Sequence, residues 1–277
     1  MEKTHIMVNG LPGNVAATMA QAAVTDQRFT LIPYSLTGPD IVEDFIQIGD
    51  VRVCLVKPDT RDVTISDICK KLPAFIAIDY THPSAVNTNA EFYTRHNIPF
   101  VMGTTGGDRK RLEATVSRSR IPAVIAPNMA KQIVGFQAMM AFAAEQFPGL
   151  FAGYRLEIKE SHQQQKADTS GTAKAMVHYF NQLGVDFDPQ EIQQIRDPRV
   201  QKNLWQIPEQ YLSGHGWHTY TLTAPDGSAR FVFTHNVNGR KIYVAGTFDA
   251  VLFLRNQIAD TKRSRQVFTM IDVLKQA

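Results

Sequence analysis

The 277-residue chain has two cysteines, two tryptophans and almost no excess of charge: 29 basic against 26 acidic residues, a formal net charge of +3. Two cysteines without metal-ligand spacing exclude a disulfide framework and a cysteine-based zinc motif. Cys54 and Cys69 fall in segments that read as buried strand and then helix. So small a charge gives no electrostatic case for nucleic acid. The basic clusters Arg109-Lys110-Arg111 and Lys262-Arg263-Ser264-Arg265 read as solvated helix face and tail. No apolar run reaches the ~18 residues that a membrane-spanning helix needs. The N-terminus enters a strand within a few residues, so no signal or transit segment is expected. His215 and His218 have H-x-x-H spacing, but no third ligand lies nearby in sequence. They read as loop or strand-edge histidines, and no metal is expected.

What the sequence has is 44% hydrophobic residues and 20% charged ones, the profile of a globular protein. Short apolar runs at 6–8, 29–34, 51–56, 75–78, 100–102 and 123–125 alternate with helical patterns at 15–24, 85–96 and 109–119. Continuous apolar strands between helices predict a doubly wound, Rossmann-like parallel sheet covered on both faces. After Pro127 the pattern changes. Residues 132–147 are helical in period, and 154–160, 192–195, 217–222 and 230–237 alternate as half-exposed strands. A helix from Ala173 to Leu183 closes at Gly184, a favoured stop. This half predicts a second, α+β domain. The closing segments, 246–258 and 267–274, read as helical and return to the first domain. The expected division is therefore 1–130 plus 243–277 against 131–242.

The first strand runs into Gly10-Leu11-Pro12-Gly13-Asn14-Val15-Ala16, a G-x-x-G-x-x-A turn that opens a helix. Glycines there permit a tight turn and close approach of backbone N–H groups to a pyrophosphate, which the helix dipole also favours. The pattern departs from G-x-G-x-x-G and also fits a plain turn before a helix; its place at the first β-turn-α favours a dinucleotide. The second strand ends in Tyr34-Ser35-Leu36-Thr37, with no acid to meet the ribose hydroxyls. Ser35 and Thr37 could instead donate to a 2′-phosphate, so NADPH is expected, with NADH possible.

The densest chemistry lies in Glu160-Ser161-His162-Gln163-Gln164-Gln165-Lys166-Ala167-Asp168-Thr169-Ser170-Gly171-Thr172. His162 can move a proton near neutral pH, Lys166 supplies a cation or an acid, and the helix opening at Ser170-Gly171-Thr172 suits a carboxylate. Spacing alone equally allows a simple helix cap with surface His and Lys. The stretch, however, closely resembles the signature E-x-H-H-x-x-K-x-D-x-P-S-G-T of dihydrodipicolinate reductases. Asp79-Tyr80-Thr81-His82-Pro83, Gly103-Thr104-Thr105-Gly106, Ala126-Pro127-Asn128-Met129, Gly214-His215, His235 and Met270-Ile271-Asp272 have counterparts in the same order. The version without proline before Ser170, and with Gln163 after the histidine, is similar to the plant-type branch.

The resemblance implies a reductase of 4-hydroxy-tetrahydrodipicolinate in lysine (diaminopimelate) biosynthesis. It implies that Gly10 to Val15, Gly103, Thr104, Thr105 and Ala126 to Met129 surround the nucleotide. His162 and Lys166 are implied as catalytic, and Ser170, Gly171 and Thr172 as the carboxylate site. Gln163 stands where the bacterial type has a second substrate histidine, and Arg240 is a possible second cation. A substrate held between the domains, a second domain that serves substrate binding and oligomerisation in a homotetramer, and a cytoplasmic setting (or a plastid stroma, for a mature form) complete the expectation. Two other readings remain: a different two-domain dehydrogenase, and a non-catalytic dinucleotide sensor.

Overall fold

Ile6, Met7 and Val8 of the first strand, β1 (Thr4–Asn9), are all buried, on both of its faces. That is what an unbroken apolar run demands when helices cover both sides of a sheet. The computed structural model describes residues 2–276. These divide into 2–131 with 243–276, and Gln132–Ile242.

In the first unit, β1 leads to α1 (Asn14–Thr25), β2 (Phe29–Leu31), β3 (Tyr34–Leu36), β4 (Phe45–Ile48), β5 (Val51–Val56) and α2 (Arg61–Lys71). Then come β6 (Ile76–Asp79), α3 (Val86–Arg95), β7 (Phe100–Met102), α4 (Arg109–Ser117) and β8 (Ala123–Ile125). The end of the chain returns as α8 (Ile242–Ala259), β13 (Val267–Phe268) and α9 (Met270–Leu274). A six-stranded sheet runs β13-β8-β7-β6-β1-β2, with every pairing parallel. The chain moves from β1 outward in one direction, then returns to β1's other side as β6. Their C-terminal ends form the switch point where open α/β sheets bind ligands.

The structure departs from the sequence reading in four places here. The single strand expected over 29–34 is two, because Pro33 cannot continue the ladder. β3 and β5 leave the main sheet and form a separate three-stranded sheet with β4, in the order β3-β5-β4. Residues 267–268, expected to be helical, are the edge strand β13, capped into α9 by Thr269. Cys54 and Cys69, expected in buried segments, are both exposed free thiols.

The second unit contains α5 (Lys131–Gln146), β9 (Arg155–His162), α6 (Gly171–Gln182), β10 (Gln193–Ile195), α7 (Pro198–Asn203), β11 (His215–Thr223) and β12 (Arg230–Asn238). The sheet order is β10-β9-β11-β12, parallel only between β10 and β9. Alternate residues Leu156 and Ile158 of β9 and Tyr220 and Leu222 of β11 pack with Met140 and Ala144 of α5. Ala173, Met176, Val177 and Phe180 of α6 complete this core. Continuing the same alternation upward, Glu160 pairs with His218 and His162 with Gly216. The apolar face thus passes directly into a row of ionisable groups.

Candidate active site

The C-terminal ends of β1, β7 and β8 carry the three segments expected around a nucleotide. Gly10 has φ +105, a conformation that side chains resist, and a Cβ there would collide with the Tyr80 carbonyl at the end of β6. Glycine therefore lets the turn lie directly on the switch point. Pro12, Gly13 and Asn14 are exposed, while Leu11 is core. No side chain caps α1 and no acid lies in its first turn, so its N-terminal N–H groups suit a phosphate. The residues present fit a dinucleotide.

Ser35 does not behave as expected. It is fully buried; its hydroxyl accepts from Leu11 N at 3.3 Å and donates to the Leu36 carbonyl. The Thr37 hydroxyl donates to the Leu11 carbonyl at 2.7 Å. Both side chains brace the glycine turn, and both hydroxyl protons are committed to backbone carbonyls there rather than offered to a 2′-phosphate.

A buried carboxylate to which the sequence reading gave no role organises this edge. Asp79 accepts from Thr81 N, from the hydroxyls of Thr81 and Thr104, from Asn89 Nδ2 and from Tyr93 OH. Asn9, at the end of β1, donates to Tyr93 OH and accepts from Leu36 N. Burial, and then the Asp79 charge, push the Tyr93 phenol well above its ordinary pKa, so it remains a donor. Thr104 is consequently buried as an anchor, whereas Thr105 is exposed. A Cβ on Gly103 would enter the Tyr80 ring, and one on Gly246 of α8 would strike the Met129 carbonyl. Of Ala126 to Met129, Pro127 is exposed and Asn128 half-buried, its side chain accepting from Ala130 N.

In the second unit, β9 delivers His162 at its last position. Its Nδ1 faces the His215 carbonyl at 3.1 Å, which can only accept, so Nδ1 carries a proton. Its Nε2 lies 3.0 Å from Nε2 of His218, and accepts from it in the neutral pair. His218 Nδ1 in turn meets the Tyr220 hydroxyl at 3.1 Å, and that hydroxyl reaches His235 Nε2 at 3.4 Å. Burial, aided by the Arg196 charge, lowers the His162 pKa to about 4. Burial also takes His235 to about 4 and His218 well below its ordinary value. The row is neutral near pH 7.

Beside it, Glu160 is fully buried and its Oε1 lies 2.6 Å from Nη2 of Arg196. Glu160 Oε2 accepts from Ser170 N at 3.0 Å, fixing the start of α6. Arg196 also donates through Nε to the Lys166 carbonyl at 2.9 Å, so one guanidinium clamps the loop 163–170 to the strands. Lys166 Nζ pairs with Asp168 at 2.6 Å, and this ammonium holds the exposed Asp168 carboxyl below its usual pKa. Ser170 is the N-cap of α6 and accepts from Thr172 N. Gly171 is exposed, and Gln163 and Thr172 are half-buried. This one loop therefore collects an imidazole, an ammonium and a helix N-terminus, chemistry suited to an anionic substrate that takes up a proton.

Three participants escaped the sequence reading. His215 and His218, expected at a loop or strand edge, are buried on the central strand β11. His215 donates to the Tyr211 carbonyl and accepts from Ser161. Arg196, not Arg240, is the second cation of the cluster beside Lys166; Arg240 instead lies against Gly214. The period-two pattern His218-Tyr220-Leu222 was the available signal for His218. Nothing local marks Arg196, whose partners lie 28–36 residues away in sequence.

Residues 4–129 match the family model for the dihydrodipicolinate reductase N-terminus, and residues 133–274 that for its C-terminus. The chain is 46% identical over 271 residues to 4-hydroxy-tetrahydrodipicolinate reductase 2, chloroplastic, of Arabidopsis thaliana, covering 98% of this chain and 77% of that protein. It is 45% identical to the probable chloroplastic reductase 1 of Oryza sativa subsp. japonica, covering 98% and 78%. The fold is similar to that of dipicolinate-bound dihydrodipicolinate reductase from Paenisporosarcina sp. TG-14, with a TM-score of 0.66 at 16% identity over 97% of this chain and 98% of that one. Matched in both halves and along nearly its whole length, the chain belongs to the dihydrodipicolinate reductase family.

Proposed function

We propose that this chain reduces 4-hydroxy-tetrahydrodipicolinate to tetrahydrodipicolinate in lysine biosynthesis, with NADPH the preferred nucleotide and NADH accepted. The observation that carries the reading is the loop 160–172, where His162, Lys166 and the Ser170-Gly171-Thr172 helix start converge within a family match spanning the chain. The balance is one hydride and one proton in, one water and oxidised nucleotide out.

The nucleotide supplies the hydride. The chain's own residues bind and orient. Gly171 N–H and the Ser170 and Thr172 hydroxyls hold one substrate carboxylate, with Gln163 hydrogen-bonding at the rim. Lys166 exchanges Asp168 for the other carboxylate. Fixed donors of this kind orient a doubly charged ring at little reorganisation cost. The electron-rich ring left by hydride addition takes its proton from His162 or Lys166. Because His162 is neutral in the resting protein and both its nitrogens are engaged, donating a proton requires the Nε2 contact with His218 to open and that nitrogen to take up a proton first. NADPH preference rests on the lack of an acid at the end of β3, not on Ser35 or Thr37.

Further parts of the reading are a homotetramer and, given chloroplastic plant relatives, a plastid stroma in preference to a cytoplasm. The sheet face bearing Arg155, Glu157, Thr221, Thr223 and Arg230, with exposed Val232 of β12 paired to Thr221, supports assembly through that sheet. Nucleotide oxidation coupled to a dihydrodipicolinate synthase tests the activity. Turnover with NADPH at least equal to that with NADH is expected, and nucleotide binding without turnover would favour the sensor reading instead.

A further inference from the structure

Glu160, His162 and His218 bring three ligand atoms within 4.8 Å of one another. The two Nε2 atoms are 3.0 Å apart, and each lies 4.0 Å from Glu160 Oε2. A shared proton accounts for the short nitrogen pair in the resting protein. What the shared proton does not require is the layer behind it. Each ring's other nitrogen is already held, His162 Nδ1 by the His215 carbonyl and His218 Nδ1 by the Tyr220 hydroxyl. Outer partners on the far nitrogen are what orient metal-ligating histidines.

The geometry points to a capture site for a borderline transition-metal dication, Zn²⁺ foremost, on His162 Nε2, His218 Nε2 and Glu160 Oε2, with a fourth position open to water. Two imidazoles and a carboxylate suit that class of ion. Bonds of ~2.0–2.1 Å at the tetrahedral angle place ligand atoms about 3.3 Å apart. The rings need part by only a few tenths of an ångström, and the carboxylate closes by rather more. The ligands stand on adjacent paired strands, with His218 opposite Glu160. Gly216 leaves room for the His162 ring, since a Cβ there would lie 3.0 Å from its Cε1.

On capture, the proton of His218 moves from Nε2 to Nδ1 and is donated to the Tyr220 oxygen. The Tyr220 hydroxyl turns toward His235 Nε2, and both ligand rings stay neutral. Arg196, on Glu160 Oε1, offsets the carboxylate charge, and the Lys166 ammonium also opposes a dication. The ion is therefore held reversibly, more weakly than in a structural zinc site. Occupancy removes His162 from proton transfer, so zinc inhibits reduction. That consequence rests on the proposed function; the binding does not.

The test is a Co²⁺ titration of the full chain, read by ligand-field absorption. We expect intense low-symmetry bands saturating at one ion per chain and displaced by Zn²⁺. His218→Gln abolishes them, and Tyr220→Phe, which keeps all three ligands, weakens binding about 10–100-fold. In parallel, Zn²⁺ suppresses nucleotide oxidation and a chelator restores it. No saturable band in the wild-type chain, or unchanged binding in His218→Gln of native circular dichroism, overturns the proposal. Bands in a chain that turns over no substrate would uphold the metal site and sink only the reductase reading.

Discussion

Arg196 Nη2 lies 2.6 Å from Oε1 of Glu160, a carboxylate with no exposure to solvent. The same guanidinium reaches the carbonyls of Lys166 and Asp168, so one side chain fixes the loop that carries the chemistry. A lysine supplies the charge but not the planar fork. Arg196→Lys is expected to lower kcat/KM on the order of 10²-fold, the usual cost of small misplacement. Arg196→Met strands the buried Glu160 charge and costs about 3–5 kcal/mol of stability. Steady-state kinetics and denaturant unfolding check the two. Wild-type kinetics in Arg196→Lys would show that the clamp is not needed.

Acid weakens the second unit through its histidines. His162 and His235 titrate at about 4 when folded, below the ordinary histidine value of 6.5. Between those values the unfolded chain binds protons that the folded chain refuses, so stability falls as pH falls. It is full above about pH 6.5 and declines until the folded rings protonate near 4. Thermal unfolding from pH 7.5 to 4.5 should show this slope, and His235→Phe should flatten it. A midpoint that does not move over this range contradicts the buried neutral row.

Lys166 is paired with Asp168, whose side chain is 77% exposed. A substrate carboxylate must displace that partner. Exposed pairs are worth ~0.2–1 kcal/mol, so Asp168→Asn should lower the substrate KM by at most about fivefold with kcat unchanged. A large fall in kcat would mean that Asp168 takes part in the reaction itself.

Ser35 holds the glycine turn through Leu11 N and has no outward face. Ser35→Ala should therefore raise KM for NADH and NADPH by the same factor. A loss confined to NADPH, seen in parallel titrations of the two nucleotides, would restore Ser35 as a 2′-phosphate ligand.

The parallel sheet was legible because its strands are unbroken apolar runs separated by helices with their own period. The glycine turn and the 160–172 loop were legible because their chemistry is local in sequence. The detour of β3, β4 and β5 was not, since only the ladder partners show which sheet a three-residue strand joins. Nor was Val267-Phe268, a two-residue strand that exists because β8 offers it an edge. The organising role of Asp79, named only as part of a family-like element, and that of Arg196 were illegible for a related reason. Their importance lies in partners far along the chain, and charge on a single residue gives no hint of them.

Transfer of label from a nucleotide deuterated at its reactive carbon tests the central claim most directly. Substrate made in place by dihydrodipicolinate synthase is supplied, and tetrahydrodipicolinate is analysed by mass spectrometry. The account predicts one deuterium in the ring with wild-type chain, and turnover lowered ~10²–10⁴-fold in both His162→Ala and Lys166→Ala. Unlabelled product, or full turnover in both variants, would contradict it.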